Sequence, residues 1–161
     1  MTITASMVKE LRERSGAGMM DCKKALEEVN GDLEAAIEFL RKSGIAKAAK
    51  KAGRTAAEGL VLAKQNEEYV CLVEINCETD FVANDENFRS FADLVAENIL
   101  AEQPEDLEAL KNCSTPTGLI KEMATELSAK VGEKIDLRRF VTVEKRQQVA
   151  GIYLHGNKIG V

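Results

Sequence analysis

Apolar residues in the first quarter of the chain recur every three or four positions, which is the spacing of short amphipathic helices. The segments 15–18 and 30–31 interrupt this pattern with residues that tolerate a left-handed backbone, and Asp32 is suited to cap the helix that follows. The apolar positions of the three predicted helices are Met7, Val8 and Leu11; Cys22, Leu26 and Val29; and Leu33, Ala36, Ile37 and Leu40. Because helices this short are unstable alone, the pattern predicts a three-helix bundle with a shared core.

The segment 45–52 consists almost entirely of Ala and Lys and has little to bury. We expect it to form an exposed helical linker that is separated from the third helix by Ser43 and Gly44 and is closed by Gly53. Beyond this linker the hydrophobic pattern changes from a helical period to alternation.

Alternating apolar residues after position 57 predict β-strands. The predicted strands are 58–64, 69–77, 135–144, 149–155 and 158–161. The polar residues 65–68 form a turn between the first two strands, and Gly156-Asn157 forms a two-residue hairpin turn before the last. In the second strand the more apolar face, expected to face the core, carries Tyr69, Cys71, Val73, Ile75 and Cys77.

Two helical patterns separate the second predicted strand from the third. Asp85 is suited to cap the first, whose apolar positions are Phe88, Phe91, Ala92, Val95 and Ile99. Thr115 and Pro116 are expected as the N-cap and first residue of the second, which stops at Gly132 and buries Ile120, Met123, Ala124, Leu127 and Val131. This order of elements predicts an α+β fold: a three-helix bundle followed by an antiparallel sheet covered by helices on one face.

Composition and charge add a division of the chain. Its 161 residues suffice for a core that needs no disulfide or metal, and its apolar runs are too short to span a membrane. The first residues do not resemble a secretory signal, so we expect a cytoplasmic location. Residues 1–54 carry a net charge of +3 and residues 55–161 a net charge of −8, which predicts two domains with these bounds. The last strand stops at Val161 without a capping element, so we expect the chain to belong to a longer protein.

Four cysteines and one histidine are the residues most able to hold a metal ion. The cysteines, Cys22, Cys71, Cys77 and Cys113, do not have the close spacing of a zinc site, and His155 is the single histidine. We therefore expect no metal and no cofactor, and we expect the thiols to be buried as small apolar residues.

The segment 76–84 does not fit a purely structural pattern. It should be a short polar connection, yet it places Phe81 and Val82 among acidic residues. Two interpretations are open: Phe81 packs under the following helix beside Phe88, or it projects as an aromatic anchor of the kind that dominates protein interfaces. In the second case Thr79 would cap the turn and hold it in place.

Several segments along the whole chain resemble the translation elongation factor Ts family. They are 8–26 (VKELRERSGAGMMDCKKAL), 42–44 with 50–54 (KSG and KKAGR), 74–82 (EINCETDFV) and 155–161 (HGNKIGV). The resemblance implies an N-terminal ubiquitin-associated-like three-helix domain followed by the N-terminal part of the family's core. Family members usually continue into a second core subdomain, often with a coiled-coil insertion, and this chain ends before it.

The resemblance also implies a function and a partner. Members of the family are guanine-nucleotide exchange factors that bind elongation factor Tu in its GDP-bound and nucleotide-free states. The turn matching Thr79, Asp80, Phe81 and Val82 contacts the partner's nucleotide domain; Phe81 would insert there and Asp80 would support the contact. The partner then loses its Mg²⁺ ion and its phosphate-binding loop loosens. Such a factor needs no nucleophile, base or metal of its own.

A second candidate contact lies in the first domain. Met19 and Met20 are neighbours on a helix, about 100° apart, so both cannot be fully buried in a small bundle. One incidentally exposed methionine and an adaptable apolar patch beside the Arg12 stem both fit this pattern. The resemblance favours the patch, and it suggests a weaker partner contact for His155.

Three other functions fit parts of the sequence. The basic run at 47–54 could bind nucleic acid, but the net charge of −5 and the scarcity of aromatic residues oppose this, and we expect no direct nucleic-acid contact. An enzyme would need a nucleophile and a base, and Cys77 and His155 are the only conceivable pair. No third residue that would orient them is apparent, which opposes this function. A pure binding module would use the three-helix domain and leave Asp80 and Phe81 unexplained. The unpaired edge of the last strand would also permit a homodimer.

Overall fold

The computed structural model describes residues 2–161, and its first part is helical. The helices are α1 (Ala5–Ser15), α2 (Met19–Glu28) and α3 (Leu33–Lys51). Gly16 ends α1 with a left-handed φ of 66°, and Asp32 caps α3 by accepting a hydrogen bond from the Ala35 N–H (2.9 Å). The three helices share one hydrophobic cluster: Val8, Leu11, Cys22, Ala25, Leu26 and Ala36. The predicted three-helix arrangement is therefore present.

The rest of the chain combines strands and helices. Its elements are β1 (Glu58–Gln65), β2 (Tyr69–Cys77), α4 (Asp80–Ala83), α5 (Glu86–Glu102), α6 (Leu107–Lys111), β3 (Ser114–Thr115), β4 (Gly118–Leu119), α7 (Ile120–Val131), β5 (Asp136–Glu144), β6 (Leu154–His155) and β7 (Ile159–Gly160). The long strands form one antiparallel sheet in the order β1-β2-β5, while β3 pairs with β4 and β6 with β7. Among the helices in residues 2–161, none is long and apolar enough to cross a membrane.

The core of this second part lies between the sheet and the helices on one of its faces. The alternation of β2 is as predicted, with every second side chain buried from Cys71 to Cys77. Helices α5 and α7 supply the opposing side of the core, which includes Phe88, Phe91, Val95, Ile99, Ile120 and Leu127. Asp85 caps α5, since its carboxylate accepts a hydrogen bond from the Asn87 N–H (2.9 Å). The predicted α+β fold, with an antiparallel sheet covered by helices on one face, is confirmed.

Helix α3 is longer than predicted. It passes through Ser43 and Gly44 without a break, so the third helix and the predicted linker are one element. Nor is the linker part fully exposed, because the Lys51 ammonium donates to the Ser128 carbonyl of α7 (2.9 Å). Gly44, just before the linker part, is buried near Ala129 of α7. Packing of α3 against α7 outweighs the low helix propensity of glycine, so the helix continues through Gly44.

Helix α7 begins later than predicted, with Leu119 as its N-cap. The predicted N-cap, Thr115, lies in β3 instead, and its hydroxyl donates to the Gly118 carbonyl (2.7 Å) across a tight turn that contains Pro116. The carboxylate of Glu122 satisfies the start of the helix by accepting a hydrogen bond from the Leu119 N–H (3.1 Å). Thr and Pro are favoured in turns as well as at helix starts, and here the turn is formed.

The strand predicted at 149–155 is wrong except for its last two residues, which form β6. After β5, Arg146 and Gln147 adopt left-handed φ angles of 45° and 64°, which turn the chain away from the sheet. Val149 is consequently fully exposed. An apolar alternation alone did not make a strand here, because residues 149–152 pair with no strand among the described residues.

The hairpin predicted at the end of the chain is confirmed, although its loop has three residues, 156–158, rather than two. The hairpin lies against β1, where the Val61 N–H donates to the Asn157 carbonyl (2.7 Å). Gly160 packs closely on the side chain of Leu72. The hairpin therefore covers part of the sheet face opposite the helices.

Candidate functional site

The segment 79–82 follows directly after β2 and contains α4, a single helical turn. Thr79 is its N-cap, and the Thr79 hydroxyl oxygen accepts a hydrogen bond from the Val82 N–H (3.4 Å). Val82 is buried beneath the turn, whereas the Phe81 side chain is 84% exposed. Phe88 in α5 is fully buried without it. Packing of Phe81 under the helix beside Phe88 is therefore excluded, and Phe81 projects from the surface.

Glu133, in the loop between α7 and β5, holds the base of this turn. Its Oε2 atom accepts hydrogen bonds from the N–H groups of Glu78 (2.9 Å) and Thr79 (3.0 Å), and its Oε1 atom accepts one from the Thr79 hydroxyl (2.5 Å). The sequence pattern did not indicate this role, because Glu133 is 54 residues from Thr79 and looks like any loop residue after a helix-ending glycine.

Glu78 makes the reciprocal contact with the same loop. Its Oε1 atom accepts a hydrogen bond from the Lys134 N–H (2.7 Å) and pairs with the Arg54 guanidinium (3.3 Å). These contacts, above all the one from the Lys134 N–H, lower the pKa of the Glu78 carboxyl below its ordinary value. The turn therefore begins at a carboxylate that stays charged at neutral pH.

Polar residues flank Phe81 in the chain and hydrogen-bond to one another. Asp80 is exposed, and its carbonyl accepts a hydrogen bond from the Asn84 side-chain amide (2.9 Å). The Arg89 guanidinium in turn donates to the Asn84 Oδ1 atom (2.8 Å). The apolar surface at this site is thus concentrated in one aromatic side chain on a hydrogen-bonded base, which is the geometry of an interface anchor.

The structure exposes both methionines at the start of α2. Met19 is 56% exposed and Met20 is 75% exposed, and Arg12 in α1 is exposed as well. Burial of one methionine in the helical core is therefore excluded. The two flexible thioether side chains give α2 an adaptable apolar surface.

His155 lies on the exposed terminal hairpin. Its Nδ1 atom is 3.3 Å from the Tyr153 hydroxyl, and the two rings stack with centroids 6.4 Å apart. The predicted site residues thus lie on four separate elements: the α4 turn, α1 with Arg12, the start of α2 with the two methionines, and β6. Within residues 2–161 no hydrogen bond or ion pair joins one of these sets to another, so they do not form a common pocket.

The thiols are arranged for packing rather than for catalysis. Three of the four are fully buried, as expected: Cys22, Cys71 and Cys77. The expectation is wrong for Cys113, which is only partly buried. Burial, together with the nearby Glu133 carboxylate, raises the pKa of Cys77 to about 11, so this thiol is protonated at neutral pH and is a poor nucleophile. In the part of the chain that the structure describes, no group of three or more His, Cys, Asp or Glu residues could hold a metal ion.

The basic run at the end of α3 is largely engaged within the molecule. Lys47 pairs with Asp21 of α2 (2.9 Å), Lys51 donates to the Ser128 carbonyl, and Arg54 pairs with Glu78. These cations therefore act as internal contacts between elements, which weakens the case for a phosphate-binding surface.

The fold and the site define a class of protein: an α+β protein with a helical bundle, whose candidate site is an anchored aromatic projection and not a pocket. A family model described as Elongation factor TS matches residues 78–161, just over half of the chain and the part that carries the projecting turn. The chain belongs to the elongation factor Ts family.

Curated relatives match along the whole chain. Elongation factor Ts of Thioalkalivibrio sulfidiphilus is 57% identical over 164 aligned residues, which cover 100% of this chain and 56% of that protein. The homologous proteins of Idiomarina loihiensis and Alkalilimnicola ehrlichii are 55% and 54% identical, again over 100% of this chain and over 55% and 56% of their own lengths. The chain therefore spans about half the length of the curated relatives it matches.

Proposed function

We propose that this chain is part of a guanine-nucleotide exchange factor for elongation factor Tu, acting in the cytoplasm during translation elongation. Its family supports this class of function. The observation that carries the proposal is the exposure of Phe81 on a turn that is capped and hydrogen-bonded from below. An apolar ring left in water loses the free energy of burial, and a partner that covers it recovers that free energy.

In this proposal Phe81 inserts into the nucleotide-binding domain of elongation factor Tu. Asp80 supports the contact, while Thr79 and Val82 keep the turn in shape. Proteins of the partner's type hold GDP through Mg²⁺ and through loop N–H groups around the phosphates, so displacing either one weakens GDP binding without breaking a covalent bond. The chain contributes only binding energy and performs no covalent chemistry of its own, so it is not an enzyme in that sense and needs no cofactor.

Exchange by binding has a thermodynamic consequence. If the chain weakens the affinity of the partner for GDP by some factor, GDP must weaken the affinity of the partner for the chain by the same factor. The chain should therefore bind nucleotide-free elongation factor Tu more tightly than the GDP-bound form. Met19, Met20 and Arg12 add a second contact with the same partner and His155 a weaker one, and linked contacts raise the overall affinity through effective concentration.

The test is the rate at which elongation factor Tu releases a fluorescent GDP. We expect the chain to accelerate release, and we expect Phe81→Ala to reduce that acceleration by about tenfold or more, as loss of an interface anchor does. Val149→Ala is the matched control, because it also truncates an exposed apolar side chain but lies outside the projecting turn. Circular dichroism and thermal unfolding check that each variant is folded.

The outcomes separate the alternatives. If the Phe81 variant accelerates release as well as the parent chain does, the role of Phe81 is wrong and a pure binding module becomes the better explanation. If the parent chain neither accelerates release nor binds nucleotide-free elongation factor Tu, the proposed function is wrong. Binding without acceleration would show that exchange requires the remaining length of the relatives. Sedimentation of the chain alone at two concentrations shows whether it forms a homodimer in the absence of the partner.

A further inference from the structure

The loop between α7 and β5 makes more contacts with the projecting turn than a connecting loop requires. The Glu133 carboxylate uses both of its oxygens on two consecutive residues, accepting from two backbone N–H groups and one hydroxyl at 2.5 to 3.0 Å. Hydrogen bonds to an ionised acceptor are the stronger kind. One side chain therefore determines where the turn starts.

The turn needs this support because it is too short to hold its own shape. Helix α4 has only four residues, fewer than an isolated helix requires. Its capping bond from the Val82 N–H to the Thr79 hydroxyl oxygen is long, at 3.4 Å. Since the Thr79 hydroxyl donates its only proton to Glu133, its lone pairs remain available to the Val82 N–H. Glu133 thereby orients the cap beneath Phe81.

Glu133 is itself fixed in place. Its carbonyl accepts a hydrogen bond from the Ser128 hydroxyl (2.6 Å). The next residue, Lys134, donates its N–H to the carboxylate of Glu78, which is the residue whose N–H binds Glu133. The turn and the loop thus exchange hydrogen bonds in both directions.

The same loop and the end of α7 also hold the end of α3. The Lys134 ammonium donates to the carbonyls of Ala52 (2.8 Å) and Arg54 (3.2 Å), and Lys51 donates to the Ser128 carbonyl (2.9 Å). The helical part that carries Met19 and Met20 is therefore attached to the loop that positions Phe81. Two contact surfaces fixed by one loop lose less conformational freedom when a partner binds both.

We propose that Glu133 is a positioning residue for partner binding, which acts by holding the turn that presents Phe81; this rests on the proposed function. Glu133 does not contact the partner itself and acts only through the turn. Its removal leaves the Phe81 side chain present but lets the turn sample other orientations, so affinity falls through loss of preorganisation.

The central experiment is a double-mutant cycle on the affinity for nucleotide-free elongation factor Tu. We expect Glu133→Ala to weaken binding about tenfold in the parent chain, the effect of freeing a few ordered groups. In a chain that already carries Phe81→Ala, the same substitution should change the affinity less than about twofold, because the group it positions is gone. Glu133→Gln, which keeps an acceptor oxygen without the charge, should give an intermediate affinity.

Glu122→Ala is the matched control. Glu122 also uses its carboxylate to accept a backbone N–H at the other end of the same helix, α7, but it makes no contact with the turn. We expect it to lower thermal stability without weakening partner binding. Amide hydrogen exchange adds a readout that needs no partner: the amides of Thr79 and Val82 should exchange faster in the Glu133 variants and unchanged in the Glu122 variant.

The outcomes distinguish the two levels of the proposal. If Phe81→Ala binds as the parent does, or if the parent does not bind, the proposed function fails and the role of Glu133 in it fails too. If Phe81→Ala weakens binding but Glu133→Ala does not, the positioning role alone is wrong. Full additivity of the two substitutions would likewise overturn it, because Glu133 would then act on binding independently of Phe81. Should Glu133→Ala fail to fold, Glu133→Gln decides by the same criteria.

Discussion

Phe81 and Phe88 are the same residue type, close in sequence, in opposite environments. Phe88 is fully buried between α5 and the sheet, where its area contributes to the stability of the fold. Phe81 leaves most of its ring in water and contributes little to that core. The two side chains therefore separate stability from recognition within one short stretch of chain.

The contrast gives a prediction for unfolding in urea. Phe88→Ala should lower the free energy of unfolding by about 3–5 kcal/mol, because it leaves a cavity in the core. Phe81→Ala should change it by less than about 0.5 kcal/mol, as is usual for an exposed side chain. Equal losses in the two variants would show that Phe81 packs against its own fold and is not free for a partner.

For single residues, the sequence predicts the roles that depend on neighbours only a few positions away in the chain. Asp32 and Asp85 cap the helices that begin next to them, and such signals span only a few residues. The orientation of Phe81 was left open, because the pattern suits a buried and an exposed ring equally. Glu133 was not predicted at all, since its partners are 54 and 55 residues away and are brought to it only by the tertiary fold.

Among the elements, α3 has a glycine where it contacts α7. Gly44 lies inside the helix and faces α7, and a Cβ atom added there would lie 3.9 Å from the Ala129 Cβ atom, which is an ordinary contact distance. Gly44→Ala should therefore raise the free energy of unfolding by about 0.5–1 kcal/mol, because alanine is the better helix former and the site has room for a methyl group. Urea unfolding of the two chains measures the difference.

Gly59 provides the control for this prediction. Its φ is 135°, and a Cβ atom there would lie 2.1 Å from the Ile75 carbonyl oxygen of the neighbouring strand. Gly59→Ala should lower the free energy of unfolding by about 1–3 kcal/mol or more, since both the backbone angle and the contact are unfavourable. A destabilising Gly44→Ala would mean that α3 and α7 are packed too closely to accept a methyl group.

Elements with a long periodic pattern were predicted well, and short or ambiguous ones were not. Strand β2 alternates over its whole length and was found where expected. Thr115 and Pro116 fit both a helix start and a turn, and the hydrogen bond from the Thr115 hydroxyl to the Gly118 carbonyl decides for the turn. The strand at 149–155 failed because strand formation depends on a neighbouring strand as well as on alternation.

On the scale of the whole molecule, the described residues contain two separate hydrophobic clusters. We propose that residues 1–54 and 55–161 form two domains, a division that these clusters support. Helix α3 contacts both parts of the molecule. Its first half packs in the helical cluster, while Gly44 and Lys51 lie against α7 of the second part. Its length gives the two parts a continuous connection where the sequence had indicated a separate linker.

The prediction at this scale concerns relative motion. The double substitution Lys51→Ala with Lys134→Ala removes the ammonium contacts that join the end of α3 to α7 and to the loop beside the turn. In this double variant we expect the amides of α1 and α2 to have shorter rotational correlation times than those of β2, measured by ¹⁵N relaxation. In the parent chain we expect one common value for all of them.

A matched control replaces two lysines whose contacts stay within one part of the molecule. Lys9 pairs with Glu13 inside α1, and Lys130 donates to Asn87 between α7 and α5. The variant with Lys9→Ala and Lys130→Ala should give one common rotational correlation time, as the parent chain does. If the Lys51 and Lys134 variant also tumbles like the parent, the packing at Gly44 is sufficient to hold the two parts together.

The distribution of sulfur in the structure has a consequence for oxidation. Burial raises the pKa values of Cys71, Cys77 and Cys113, so little of each thiol is in the reactive thiolate form at neutral pH. Met19 and Met20, in contrast, present their thioethers to solvent. Peroxide would therefore convert these methionines to polar sulfoxides before it reaches the thiols, and methionine sulfoxide reductases could reverse the change. Sensitivity to oxidative stress thus lies on the apolar surface of α2 and not in these three cysteines.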